Sequence, residues 1–309
     1  VAAIGLVASA AGVLGLAVRY RSQVVALLGV LGAFVTPLLL VDALEGTAFP
    51  LVYVLVINVP VIVLGLRRDW QTLYNVAFAF TFFYGAEWLT GQLPAGWVAG
   101  LWFAVAAYAE FALLGLLRVR EPGVPAGREL DTARLLAAAL ALGVALHLVL
   151  TSAGHSDWRG GAFFLVAAAG ALLALAARRR AGGWNAGALG FATVAISFFS
   201  VALPVQWDGA WVSLGWAIEG VVLAWLGLRM GSPLICWFGV LAGALGMAKT
   251  MVVDAPDLAA GATLFFNQRF AVGAASAILF GVQGSLHRRA SSGIGGSLLA
   301  AAFLAVIGV

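Results

Sequence analysis

Cysteine is almost missing from this chain: Cys236 is the only one among 309 residues. A single thiol makes neither an internal disulfide nor a thiolate metal cluster. Charge is scarce too, at 10% of residues, against about 25% in soluble domains. Lysine is scarcer still, since 16 of the 17 basic residues are Arg and only Lys249 is not. With the abundant Ala and Gly, that bias suggests a GC-rich bacterial genome. Missing as well are G-x-x-x-x-G-K-S/T, whose backbone amides would cradle a nucleotide, and the G-x-S-x-G elbow of serine hydrolases. No cofactor or bound metal is therefore expected, and enzymatic activity is not the leading expectation. The net charge of +4 is no nucleic-acid signal, because the arginines stand singly or in short clusters between apolar stretches.

Apolar surface is what the chain has in plenty. Hydrophobic residues make up 63% of it, and its mean hydropathy is +1.05. A soluble fold of this length has no interior large enough to hide them, so the solvent must be lipid. A helix crossing the hydrocarbon core needs about 20 apolar residues. By that measure the sequence predicts about twelve spans: 1–18, 24–43, 49–66, 72–90, 97–117, 132–151, 161–177, 184–203, 210–228, 233–253, 265–285 and 293–309. The fold class expected is all-α, a polytopic bundle. It forms one continuous membrane domain, with helices 1–5 in 1–117 and helices 6–12 in 132–309. The Pro-containing connection 118–131 is its longest. The start at Val1 and an end inside an apolar run suggest part of a longer chain.

Orientation follows from the arginines. Arg19, Arg21, Arg67, Arg68, Arg118, Arg120, Arg128, Arg134, Arg178, Arg179, Arg180, Arg229, Arg288 and Arg289 fall on one side of a twelve-span topology. That is 14 of the 17 basic residues, leaving Arg159, Lys249 and Arg269 on the other. The positive-inside rule puts the arginine side in the cytoplasm, and the start of the chain in the periplasm of a bacterial inner membrane. Repeats point the same way. L-G-L-R at 64–67, L-G-L-L-R at 114–118 and L-G-L-R at 226–229 each close an inward-going helix. A hairpin duplicated along the chain accounts for them, as does chance likeness between Gly-rich apolar helices.

Ionisable groups inside the spans are the candidates for chemistry. Glu110 and Glu219 each sit mid-span, and Asn58, followed by Pro60, lies at a similar depth in the third span. A carboxyl at the bilayer centre costs about 2.5–3.5 kcal/mol to insert, so it should face the bundle interior. These three residues are the candidate substrate or ion pathway; the plainer alternative is hydrogen-bonded packing between helices. A second group, Lys249, Asp254, Asp257, Asn267, Gln268 and Arg269, falls at the outer surface. Lys249, Asp254, Asn267 and Arg269 would form an outer vestibule gripping a headgroup or small anion. Simple ion pairing at a wet helix end is the plainer account of them, since exposed pairs are common and weak. A third group comprises Glu87, Trp88, His147, His155, Asp157, Trp158, Arg159, Trp207, Asp208 and Trp211, also outward. Its tryptophans fit an aromatic belt. No metal-ligand spacing supports a metal there.

Three stretches resemble a known family: S-L-G-W-A-I-E at 213–219 with L-G-L-R at 226–229, L-G-V-L-G-A-F-V-T-P-L-L at 28–39, and F-N-Q-R-F at 266–270. They are similar to the bacterial multi-spanning membrane proteins of domain of unknown function 2339. That resemblance implies a larger parent protein in the inner membrane and supplies no activity. The leading expectation is transporter- or flippase-like handling of an envelope-associated solute or lipid. An outward-facing enzyme acting on lipid-linked sugars, with Asp42 and Glu45 as its acidic pair, is the first alternative. A non-catalytic scaffold packed against other membrane subunits is the second.

Overall fold

In lipid no water is at hand for the backbone, so each segment must close its own hydrogen bonds. The computed structural model follows that rule. It describes residues 22–39, 47–68, 70–119, 128–207, 210–230, 233–250 and 268–289, with Gly12, Arg19 and Tyr20. Its regular structure over those residues is helical throughout. Ten helices are present among them: α1 (Gln23–Leu39), α2 (Phe49–Arg68), α3 (Gln71–Gly91), α4 (Trp97–Arg118), α5 (Arg128–Ser152), α6 (Arg159–Ala181), α7 (Ala186–Gln206), α8 (Ala210–Met230), α9 (Pro233–Lys249) and α10 (Gln268–Arg289). They fall at ten of the expected spans, while 1–18 (Gly12 apart) and 293–309 lie outside the described residues. Five helical stretches are long and apolar enough to cross a membrane: Trp97–Arg118, Thr132–Ser152, Ser156–Ala181, Ala186–Gln206 and Trp211–Leu228. Gln23–Leu39, Phe49–Leu64 and Ile235–Lys249 are shorter apolar helices.

The chain divides into two compact units, 1–195 and 196–309, with the division inside α7. In the first unit, aromatic side chains knit α1 to α3. Phe34 stacks on Phe80 with centroids 5.0 Å apart, and the Tyr84 hydroxyl donates to the Phe34 carbonyl at 2.7 Å. Phe111 on α4 meets Phe78 on α3 edge-on at 5.0 Å. Helix α6 stops after three arginines because Gly182 turns left-handed at φ 69°. The amides of Gly182 and Gly183 then close on the carbonyls of Arg179 and Arg178, the usual glycine ending of a helix. Asn185 caps α7, its side-chain oxygen accepting from the Ala188 amide at 3.0 Å.

Arginines gather at one end of this unit. The guanidinium groups of Arg118 and Arg134 both lie over the Tyr74 ring, at 5.3 and 5.7 Å. Arg180 reaches the Leu117 carbonyl at 3.5 Å, and Arg178 covers Trp184 at 5.1 Å. Arg134 is buried, yet it belongs to a helix flank where apolar residues would be expected.

In the second unit glycines set the packing of α8 against α9. A Cβ on Gly220 would stand 2.8 Å from the Gly243 nitrogen and 2.9 Å from the Gly239 oxygen. Gly246 approaches the Ser213 carbonyl, and Gly227 approaches Cys236 as closely. Because the partners of 213, 220 and 227 descend from 246 through 243 to 236, the two helices run antiparallel. Small residues let backbones touch where lipid supplies no hydrophobic drive between helices.

Candidate functional site

Asn58 on α2 is fully buried. Its amide nitrogen donates to Glu110 Oε2 on α4 at 2.8 Å and to Thr81 Oγ1 on α3 at 2.9 Å. The Thr81 hydroxyl in turn donates to the Ala77 carbonyl at 2.7 Å, as a helical threonine commonly does. Three helices are thus tied together at mid-length by one amide. Asn58 and Glu110, expected at like depth, do meet. Thr81 completes the cluster, although it carried no signal in the sequence, being one hydroxyl in an aromatic span. Asn58 Oδ1 is buried with no partner among the described residues.

Glu219 in the second unit is 5% exposed. Its Oε2 accepts from the Ser200 hydroxyl of α7 at 2.7 Å. Ser200 is itself fixed, because its carbonyl accepts from the Trp216 indole at 3.0 Å. Glu219 Oε1 is buried with no partner among the described residues. A carboxyl oxygen without a donor in an apolar bundle is costly, so this group keeps an open hydrogen-bonding capacity. Each unit therefore holds one mid-helix carboxyl bound on one side by an uncharged donor.

The expected outer vestibule is only partly within view. Lys249 ends α9, half-buried, and Arg269 is the second residue of α10. Asp42, Glu45, Asp254, Asp257 and Asn267 lie outside the described residues, as does Asp208.

The third group is partly assembled in the first unit. His155 stacks on Trp158 with centroids 5.0 Å apart, and Trp97 meets His155 edge-on at 5.4 Å. Arg159 donates to the Ser156 carbonyl at 2.8 Å and lies 3.5 Å from His147 Nδ1. The buried Trp88 indole donates to the Gly96 carbonyl at 3.0 Å, while Glu87 is exposed. Trp207 and Trp211 belong to the second unit. Among the described residues no three His, Cys, Asp or Glu side chains form a metal-holding group.

Two features were not foreseen. Arg134 is 7% exposed and holds α3 through neutral amides. It donates to Asn75 Oδ1 at 3.0 and 2.8 Å and to Gln71 Oε1 at 2.9 Å. The i, i+4 spacing of Gln71 and Asn75 on the first turns of a span was the available signal. The other feature is a cavity of about 360 Å³ between α3, α4 and α5. Its wall is apolar apart from Thr81 and Tyr108. The Tyr108 hydroxyl is buried with no partner among the described residues.

This architecture defines a helical membrane protein with several apolar helices. Within that class, the chain matches the family described as predicted membrane protein (DUF2339) over residues 1–309, and it belongs to that family. No curated protein and no solved structure matches it. The family description gives a location and no reaction.

Proposed function

We propose that this protein is transporter- or flippase-like and handles an envelope-associated solute or lipid across a bacterial inner membrane. The observation that carries the reading is a mid-helix carboxyl in each unit, Glu110 on Asn58 and Glu219 on Ser200, the second with Oε1 buried and unpartnered among the described residues. Ionisable groups within membrane helices are expensive and commonly mark ion or substrate pathways. Lys249 and Arg269, with Asp254 and Asn267, would serve as polar contacts at the outer surface. The arginine-bearing end of the first unit would face the cytoplasm.

The test is a flux measurement with the full chain in vesicles. A fluorescently labelled phosphatidylglycerol is the probe, and dithionite quenching reads its movement between leaflets. Glu219→Gln and Glu110→Gln keep the shape of the side chain and remove its ionisable proton. Each is expected to slow movement at least tenfold while the protein elutes as the parent does. A rate that equals that of empty vesicles, or variants as fast as the parent, would end the reading.

A second reading has its own support. Ser200 and Asn58 satisfy the carboxyls in the manner of interhelical glue, and the glycine contacts of α8 with α9 leave no gap between them. A scaffold of this kind predicts that Glu219→Gln leaves any partner association intact and changes only stability.

A further inference from the structure

We propose that the cavity between α3, α4 and α5 is a binding site for one phospholipid, its acyl chain in the cavity and its phosphate at Arg159 and His147. This narrows the solute-or-lipid handling proposed above to a phospholipid, and in that respect rests on it. At 360 Å³ the cavity has the size of a small-ligand pocket. It runs from Gly100 near the start of α4 to Phe111. Eleven helical residues rise about 17 Å, roughly half of the ~30 Å hydrocarbon core. That is the depth of one leaflet, and so the length available to one acyl chain.

The opening and the walls agree with such a chain. Leu140 and Val144 line the cavity and are 71% and 50% exposed. The cavity therefore reaches the flank of α5, which meets hydrocarbon in a membrane. Gly85, Ala104, Ala107 and Ala141 supply much of the wall. A narrow wall of small residues suits an unbranched methylene chain better than the methyl-bearing isoprenoid of a lipid-linked sugar. In water such a cleft would be an exposed apolar patch. In a bilayer it fills with what surrounds it.

The polar group has a place one turn further out. Val144 precedes His147 by three residues on α5, and Gly100 follows Trp97 by three on α4. Arg159, 3.5 Å from His147 and bonded to the Ser156 carbonyl, thus stands just beyond the mouth of the cavity, on the same turn as the stacked pair His155 and Trp158. A guanidinium at the level of the headgroups is the side chain best suited to a phosphate. It also gives Arg159 a reason to sit on the side of the membrane where arginine is rare. At the inner end the Tyr108 hydroxyl is buried without a partner among the described residues, and a water carried in beside the chain would satisfy it.

The experiment uses the full chain in vesicles that contain phosphatidylglycerol with a photoreactive diazirine near the end of one acyl chain. Crosslinked peptides are mapped by mass spectrometry. Labelling is expected to concentrate on α3 and α4 residues of the cavity. Ala141→Phe, which fills the cavity, should reduce it at least fivefold, and Arg159→Gln about threefold. Should Ala141→Phe misfold, Ala86→Phe tests the same space from an exposed lining position. Labelling spread evenly over lipid-facing helices, or unchanged in the filled variants, would overturn the site. Displacement of the label by an isoprenyl phosphate but not by phosphatidylglycerol would overturn the choice of ligand. Loss of specific labelling with flux intact rejects this inference alone. Specific labelling with no flux at all rejects the transport reading and leaves the site standing.

Discussion

Arg134 sets the terms at the scale of single residues. Its three hydrogen bonds to Asn75 and Gln71, and its place over Tyr74, use the guanidinium as a planar fork. A hydrogen bond to a charged group contributes about 1.5–3 kcal/mol net of water, and these three share two amides, so they do not simply add. Arg134→Ala is therefore expected to lower unfolding stability by about 2–3 kcal/mol. Arg134→Lys should recover little of the loss, because an ammonium cannot serve two amides and a ring from one plane. Thermal unfolding of the detergent-solubilised chain, followed by tryptophan emission, checks both; a lysine variant as stable as the parent would show that charge alone suffices. Asn58 offers the contrast. It has no charge, yet it holds Glu110 and Thr81 together. Depth along the spans already grouped position 58 with 110, but Thr81 became visible only when three helices were brought side by side.

At the scale of helices, the seam between α8 and α9 carries the strongest constraint. Backbone atoms of Gly243 and Gly239 occupy the space that a side chain at 220 would need. Neither neighbour can yield by changing a rotamer. Gly220→Ala must part the helices, at a cost of about 1–3 kcal/mol of overpacking strain. Gly32→Ala, where a Cβ would meet nothing within 4 Å, should stabilise the helix slightly, by up to about 1 kcal/mol. The pair measured side by side separates crowding from the general helix preference for alanine over glycine. Equal effects would mean that the seam is looser than its geometry. The sequence did announce this seam, because small residues recur at three- and four-residue spacing along 239–246. It did not announce which helix would fill the spacing, as many glycine-bearing spans present a similar stripe.

At the scale of the whole chain, helix positions were legible because lipid enforces them. Backbone groups must be paired within each span, so apolar length points to helices, of which five among the described residues are long and apolar enough to cross a membrane. Arg118, Arg134 and Arg180 gather at one end of the first unit. The cavity and the Arg159 cluster were hidden, since a space is made by what several helices fail to fill and leaves no mark on any one of them. The sidedness of the membrane can be read directly. With Cys236→Ser as background, a cysteine at Gly183 should react with an impermeant maleimide only in inside-out vesicles. One at Asp157 should react only in right-side-out vesicles. Labelling of both from one side would contradict the arginine rule for this chain.

The glycine seam has one more effect. Two rods whose backbones touch cannot slide or admit a molecule between them without first coming apart. Any rearrangement of the second unit must then carry α8 and α9 as a single lever. Glu219 is mounted on that lever, which Ser200 of α7 holds twice, through its hydroxyl to Glu219 and its carbonyl to the Trp216 indole.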